Sequence, residues 1–125
     1  MKRFTLFIVL APFLVIGCGR SLDAAVDPAE ADKALQTALE AWKSGKSPQD
    51  LKKASPSIVM NEDDWRVGKR LLEFDMGKGA VSGRQVRCRV RIKLRDKDDK
   101  TVDRDAVYII DTIPQIVIVR DSFAS

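Results

Sequence analysis

The stretch Val86-Arg87-Cys88-Arg89-Val90-Arg91-Ile92-Lys93-Leu94-Arg95 alternates apolar and basic side chains without a break. A strand points successive side chains to opposite faces, so Val86, Cys88, Val90, Ile92 and Leu94 share one face and Arg87, Arg89, Arg91, Lys93 and Arg95 the other. A helix would smear both sets around its circumference. The stretch therefore reads as a half-buried strand with a basic outer row. The charged segment Asp96 to Lys100 predicts a turn, and Thr101 to Asp111 a returning strand. Setting Arg95 opposite Asp103 places Lys93 against Asp105 and Arg87 against Asp111 outside, with Val90 against Tyr108 and Cys88 against Ile110 inside. After Pro114, Gln115 to Arg120 reads as a last strand with Ile116, Val117, Ile118 and Val119 apolar on both faces. Two apolar faces suit a strand covered on both sides or central in its sheet; at an edge they would invite pairing with another chain.

Upstream the period is helical. Asp27-Pro28-Ala29-Glu30 supplies an N-cap, a proline for the first turn and a glutamate for a capping box. Ala31, Ala34, Leu35, Ala38, Leu39 and Trp42 then form one stripe, with Asp32, Lys33, Gln36, Glu40 and Lys43 opposite. Gly45 ends this helix, placing it at about residues 28 to 44. Ser47-Pro48-Gln49-Asp50 repeats the start signal for a short helix at about 48 to 54, stopped by Pro56. Ser57 to Met60 is expected as a short strand, Glu62 to Arg66 as a turn or single helical turn, and Lys69 to Met76 as a strand with Leu72, Phe74 and Met76 on one face. Gly77, Gly79 and Gly83 mark a loop. The order predicts an α+β fold, an N-terminal helix packed on a curled antiparallel sheet of three to four strands.

The first residues give an address. Lys2 and Arg3 precede the thirteen-residue run Phe4 to Ile16, interrupted only by Thr5 and Pro12. A membrane-spanning helix needs roughly 20 apolar residues and an export signal about 7 to 15. The run ends Val15-Ile16-Gly17-Cys18, which resembles the lipobox of bacterial lipoproteins. The resemblance implies diacylglycerol on the Cys18 thiol, cleavage between Gly17 and Cys18, and a palmitate-bearing N-terminus. The expected organisation is a signal peptide at 1–17, a lipidated tether at 18–26 and one α+β domain at 27–125. Gly19 after the cysteine lacks the aspartate that marks inner-membrane retention, so the periplasmic face of the outer membrane is the expected location.

Composition excludes more than it suggests. Loss of residues 1–17 removes two of the 22 basic residues, leaving 20 against 18 acidic ones and a net charge of +2, too small to predict nucleic-acid binding. With Cys18 lipidated, Cys88 is the one thiol left for an intramolecular disulfide and has no mate. The chain has no histidine, which removes the usual nucleophile pairs and the commonest zinc ligand. No cofactor and no metal are expected. Glu62, Asp63 and Asp64 lack the alternating ligands and glycine turn of a calcium loop and read as a capped turn ahead of Trp65.

The element order resembles the cystatin-like and NTF2-like architectures. The segments Trp42 to Leu51 and Asp64 to Lys69 resemble small uncharacterised lipoproteins of planctomycete-type bacteria, which implies the same address and no catalytic residue. The leading expectation is a noncatalytic, membrane-tethered binding or scaffolding module of the cell envelope. Its candidate surface is the basic row Arg87, Arg89, Arg91, Lys93 and Arg95, facing an envelope protein, anionic lipid or wall polymer. Aspartates across the hairpin would neutralise much of that row, and a solvated sheet face is the competing reading. The first alternative is a ligand pocket of NTF2-like type lined by Trp42, Trp65 and Tyr108, although aromatics in so small a domain commonly just fill the core. The second is an enzyme with Glu73 or Asp75 buried as a general base. A cystatin-type inhibitor would follow from fold alone, and no inhibitory loop motif is present. Cys88, on the apolar face, is expected as a buried, unreactive thiol.

Overall fold

The computed structural model of the chain describes residues 26–123. The expected signal segment, Gly17, Cys18 and all of the tether except Val26 lie outside the described residues.

Helix α1 (Pro28–Lys43) begins on the Asp27 carboxylate, which accepts the Ala29 N–H at 3.0 Å. It ends at Gly45, whose φ of 88° reverses the chain while Gly45 N–H donates to Trp42 O and Lys46 N–H to Ala41 O. The predicted stripe is the buried face, with Leu35 and Leu39 fully enclosed. Each such leucine stabilises the fold by roughly 1.5–3 kcal/mol. Asp32 departs from the expected solvent face: one of its carboxylate oxygens is enclosed without a hydrogen-bond partner. Helix α2 (Pro48–Lys53) starts on a full capping box between Ser47 and Asp50. The Ser47 backbone N–H holds the Asp50 carboxyl below its usual range, and Lys46 and Lys53 act in the same direction.

The sheet is mixed and curled rather than antiparallel, and it has six strands instead of three to four. These are β1 (Ile58–Asn61), β2 (Arg70–Met76), β3 (Ala80–Ser82), β4 (Gln85–Arg95), β5 (Thr101–Asp111) and β6 (Ile116–Arg120). The order is β1-β6-β5-β4-β2, with β3 pairing the free part of β4's edge. Strand β1 runs parallel to β6, a pairing between distant segments that no local alternation announces. Strand β3 falls in the expected glycine loop, where Gly83 (φ 64°) opens a two-residue turn between Ser82 and Gln85. Strand β6 lies inside the sheet between β1 and β5, with Ile116 and Ile118 buried on the core face, Val117 half-buried and Val119 exposed on the other.

Residues 62–69 join strands on opposite edges of this sheet, with the single helical turn α3 (Asp63–Arg66) inside the connection. Five flat strands would set the outer two about 19 Å apart at a spacing of about 4.8 Å. The curl shortens that path, and α3 lies across the concave mouth with Trp65 stacked on Trp42 of α1.

The β4–β5 hairpin has the predicted faces but a register two residues away from the expected one. Arg95 pairs Thr101, Lys93 pairs Asp103, Arg91 pairs Asp105 and Cys88 pairs Tyr108. The turn sets the difference. Asp96 N–H donates to Lys100 O, the Asp96 side chain accepts from Asp98 and Lys100 N–H, and Asp99 takes a φ of 64°, so the loop closes in five residues. A shift by two keeps every side chain on its face. In β2 a bulge between Leu71 and Glu73 moves Leu72 off the expected register, leaving Leu71 opposite Leu94 and Phe74 opposite Ile92.

Candidate functional site

The basic outer row is largely matched by acids. Arg91 lies between Asp75 of β2 and Asp105 of β5, bonding the latter at 3.4 Å, and Lys93 lies between Glu73 and Asp103. Arg87 bonds Asp121 at 2.8 Å. Arg89 and Arg95 are exposed, with Arg95 opposite Arg70 on β2. The expected face is therefore a charge ladder over Arg87, Arg91 and Lys93, with partners drawn from β2, β5 and the segment after β6.

The three expected pocket aromatics separate into two places. Trp42 and Trp65 stack at 5.6 Å between ring centroids and 14° between planes. Their indole N–H groups donate to Lys69 O at 2.9 Å and Lys46 O at 3.0 Å, pinning the loops after α1 and after α3. Both rings line an open groove of about 520 Å³ between the end of α1, α2, β1 and the start of β2. Its rim carries Lys46, Lys52, Arg66, Lys69 and Arg70, with Gln49 and Asn61 as uncharged polar groups. Tyr108 does not join them, because it lies fully enclosed in the core.

Tyr108 belongs instead to a buried polar network that the sequence reading missed. Its hydroxyl donates to Glu62 Oε1 at 2.5 Å, and Arg120 Nη1 donates to the same oxygen at 2.9 Å. Glu62 Oε2 caps α3 through Asp64 N–H at 2.7 Å. Asp64 Oδ2 accepts from Arg104 at 2.7 Å and Arg120 at 3.0 Å, while Oδ1 pairs with Lys69 at 3.0 Å. The expected capped turn is present, but its two buried acids also neutralise two arginines of the concave face. Asp63 points away and pairs with Arg66.

Burial works against charge on Asp64, yet Lys69, Arg120 and Arg104 outweigh it and hold the carboxyl below its usual range. Burial likewise opposes the charge on Arg120, and Glu62, Tyr108 and Asp64 together raise its pKa. Burial, followed by the charge of Glu62, pushes the Tyr108 phenol far above its ordinary value. Every acid in this network has cationic or hydroxyl donors, so it is built to fix α3 against the sheet. Among the described residues no group of three or more His, Cys, Asp or Glu side chains is arranged to hold a metal ion.

Cys88 is enclosed beside Gly77 O at 3.3 Å, and burial, reinforced by the Asp32 charge, raises its thiol pKa. Glu73 and Asp75 stand exposed on the outer face. Compared with protein-family models, curated proteins and solved structures, the chain gives no significant match, so these residues are interpreted from their own geometry.

Proposed function

We propose that the chain is a noncatalytic lipoprotein, held by lipid on Cys18 at the periplasmic side of a membrane, outer rather than inner. There it acts as a binding or scaffolding module of the cell envelope. The lipobox-like Val15-Ile16-Gly17-Cys18 supports the address. A helix packed in a curled sheet supports an NTF2-like or cystatin-like relationship. The exposed positions of Glu73 and Asp75, opposite Lys93 and Arg91, speak for binding over acid–base chemistry.

One observation carries the reading of the working surface. The groove beside Trp42 and Trp65 gathers five basic residues on walls fixed by two indole hydrogen bonds, whereas in the sheet row Arg87, Arg91 and Lys93 have acids beside or across from them. The groove, rather than the row, is where a partner gains most from this surface.

The test is envelope fractionation and affinity capture of the full-length protein, wild type against Cys18→Ser and Gln49→Trp. Gln49 is an exposed residue of α2 lining the groove, so the tryptophan would obstruct it. Loss of membrane association in Cys18→Ser, and loss of captured partners in Gln49→Trp with membrane association kept, support the reading. Membrane association independent of Cys18, or an unchanged partner set with the groove obstructed, contradicts it.

A further inference from the structure

We propose that the groove is a binding site for a small phosphate-bearing anion, an inference that rests on the groove being the working surface.

The argument starts from charge pairing. Of the groove's five basic residues, Arg66 pairs with Asp63 and Lys69 with Asp64. The one acid in its lining, Glu62, is already engaged by Tyr108 and Arg120. Lys46, Lys52 and Arg70 form no ion pair among the described residues. Asp50 feels the charge of Lys46, but its carboxylate accepts the backbone N–H and hydroxyl of Ser47 at 2.9 and 3.2 Å. Arg70 also stands directly across from Arg95, a like-charge pair that is unfavourable until a counter-charge arrives. An anion in the groove would meet three cations left without carboxylate partners.

Geometry narrows the ligand. A groove of about 520 Å³ is of small-molecule size, within the roughly 300–1,000 Å³ typical of ligand sites. It suits a phosphate group with a modest substituent better than a long extended chain. Lysine ammonium groups with a guanidinium fork suit a phosphate's several oxygens, and Gln49 and Asn61 add neutral donors. The loops bearing Lys46 and Lys69 are anchored at those same residues, whose carbonyl oxygens accept the indole N–H groups, so binding would order little backbone. The second recess, of about 470 Å³, lacks this imbalance: it sets Arg104 and Arg120 beside Asp63, Asp105 and Asp121, and both arginines already bond Asp64.

Two sources share this chemistry. Val26 is buried in the core, so the proposed tether is the seven residues 19–25, which reach at most about 25 Å and keep phospholipid headgroups within range. A soluble phosphate compound of the periplasm is the other.

The experiment uses full-length protein. In neutral detergent it is titrated with pyrophosphate while the fluorescence of the chain's two tryptophans, both lining the groove, is followed. In a second arm it is reconstituted into vesicles of anionic or of zwitterionic phospholipid, with the same readout. The groove variant replaces Lys46, Lys52 and Arg70 by glutamine; the control replaces Arg89, Arg91 and Lys93 by glutamine, removing equal charge from the sheet face. Saturable binding that weakens about tenfold or more in the groove variant and less than about threefold in the control supports the site. Saturation by pyrophosphate assigns a soluble ligand, and a response confined to anionic vesicles assigns the headgroup. Equal weakening in both variants, or no saturable response in either arm, overturns the proposal. Groove crosslinks to an envelope protein without a phosphate response would overturn the phosphate assignment alone, leaving the groove as working surface.

Discussion

Tyr108 Oη lies 2.5 Å from Glu62 Oε1, joining the second half of β5 to the cap of α3 across 46 positions of sequence. The contact sits beneath the connection that spans the two sheet edges, and Arg120 completes it. Removing either donor leaves Glu62, whose side chain is wholly enclosed, short of a partner.

Arg120→Met should therefore cost about 3–5 kcal/mol, and Tyr108→Phe about 1–3 kcal/mol, in urea unfolding at neutral pH. In the double variant Glu62→Gln/Arg120→Met the loss should be smaller than the sum of the two single losses, because neither charge is then left alone. Additive losses would mean the pair is not coupled.

The network also sets the acid response. The pKa of Asp64 is depressed in the folded chain, so its contribution is present above the unfolded value of about 4 and is lost as pH falls through the folded value. Denaturant midpoints should decline below about pH 4, and Asp64→Asn should flatten that decline while lowering the neutral-pH midpoint. An unchanged acid slope in the variant would assign the decline to other carboxylates.

At the alkaline end the sign reverses. The phenol of Tyr108 is raised, so its contribution is complete below the unfolded value of about 10 and is lost as pH rises through the folded one. Tyr108 is the chain's one tyrosine, so phenolate absorbance is a direct reporter. It should appear together with loss of the native circular dichroism. Reversible ionisation near pH ~10 with the fold intact would show the phenol to be accessible.

Gly79 predicts a steric effect. A Cβ there would lie 2.6 Å from Asp32 Oδ1 and 2.8 Å from Val86 Cγ1, so either these side chains or the loop itself must shift. Gly79→Ala should destabilise by about 1–3 kcal/mol, whereas Gly79→Ala with Asp32→Ala should recover part of the loss. Cys88, beneath the same loop, should resist aromatic disulfide reagents in the native wild type and react more readily in Gly79→Ala.

The outer elements were legible because their signals are local. Alternation announced β4, caps and stripe announced α1, and the charged segment announced the hairpin turn. Its length was not legible, because Asp96 can serve as strand end or turn residue, and the expected register moved by two. The parallel β1–β6 pair joins residues far apart, which no period encodes. The buried network left a trace that went unused. Continuing the core-face alternation through β5 and β6 places Arg104 beside Ala106 and Tyr108, and Arg120 after Ile116 and Ile118. Two arginines on an apolar face demand buried acids, and Glu62 and Asp64 supply them. The pocket reading grouped Trp42, Trp65 and Tyr108, whereas the two tryptophans stack on each other and Tyr108 bonds Glu62 elsewhere, since residue type alone does not reveal which aromatic hydroxyl already has a partner.

The most direct test of the central claim is site-specific photo-crosslinking in the native envelope, with one photoreactive residue at a time at Gln49 or Asn61 in the groove and at Arg89 on the sheet face. The groove account predicts discrete crosslinked products from Gln49 and Asn61, absent in Cys18→Ser, and only diffuse background from Arg89. Discrete products from Arg89 with none from the groove positions would contradict it and make the charged sheet face the working surface.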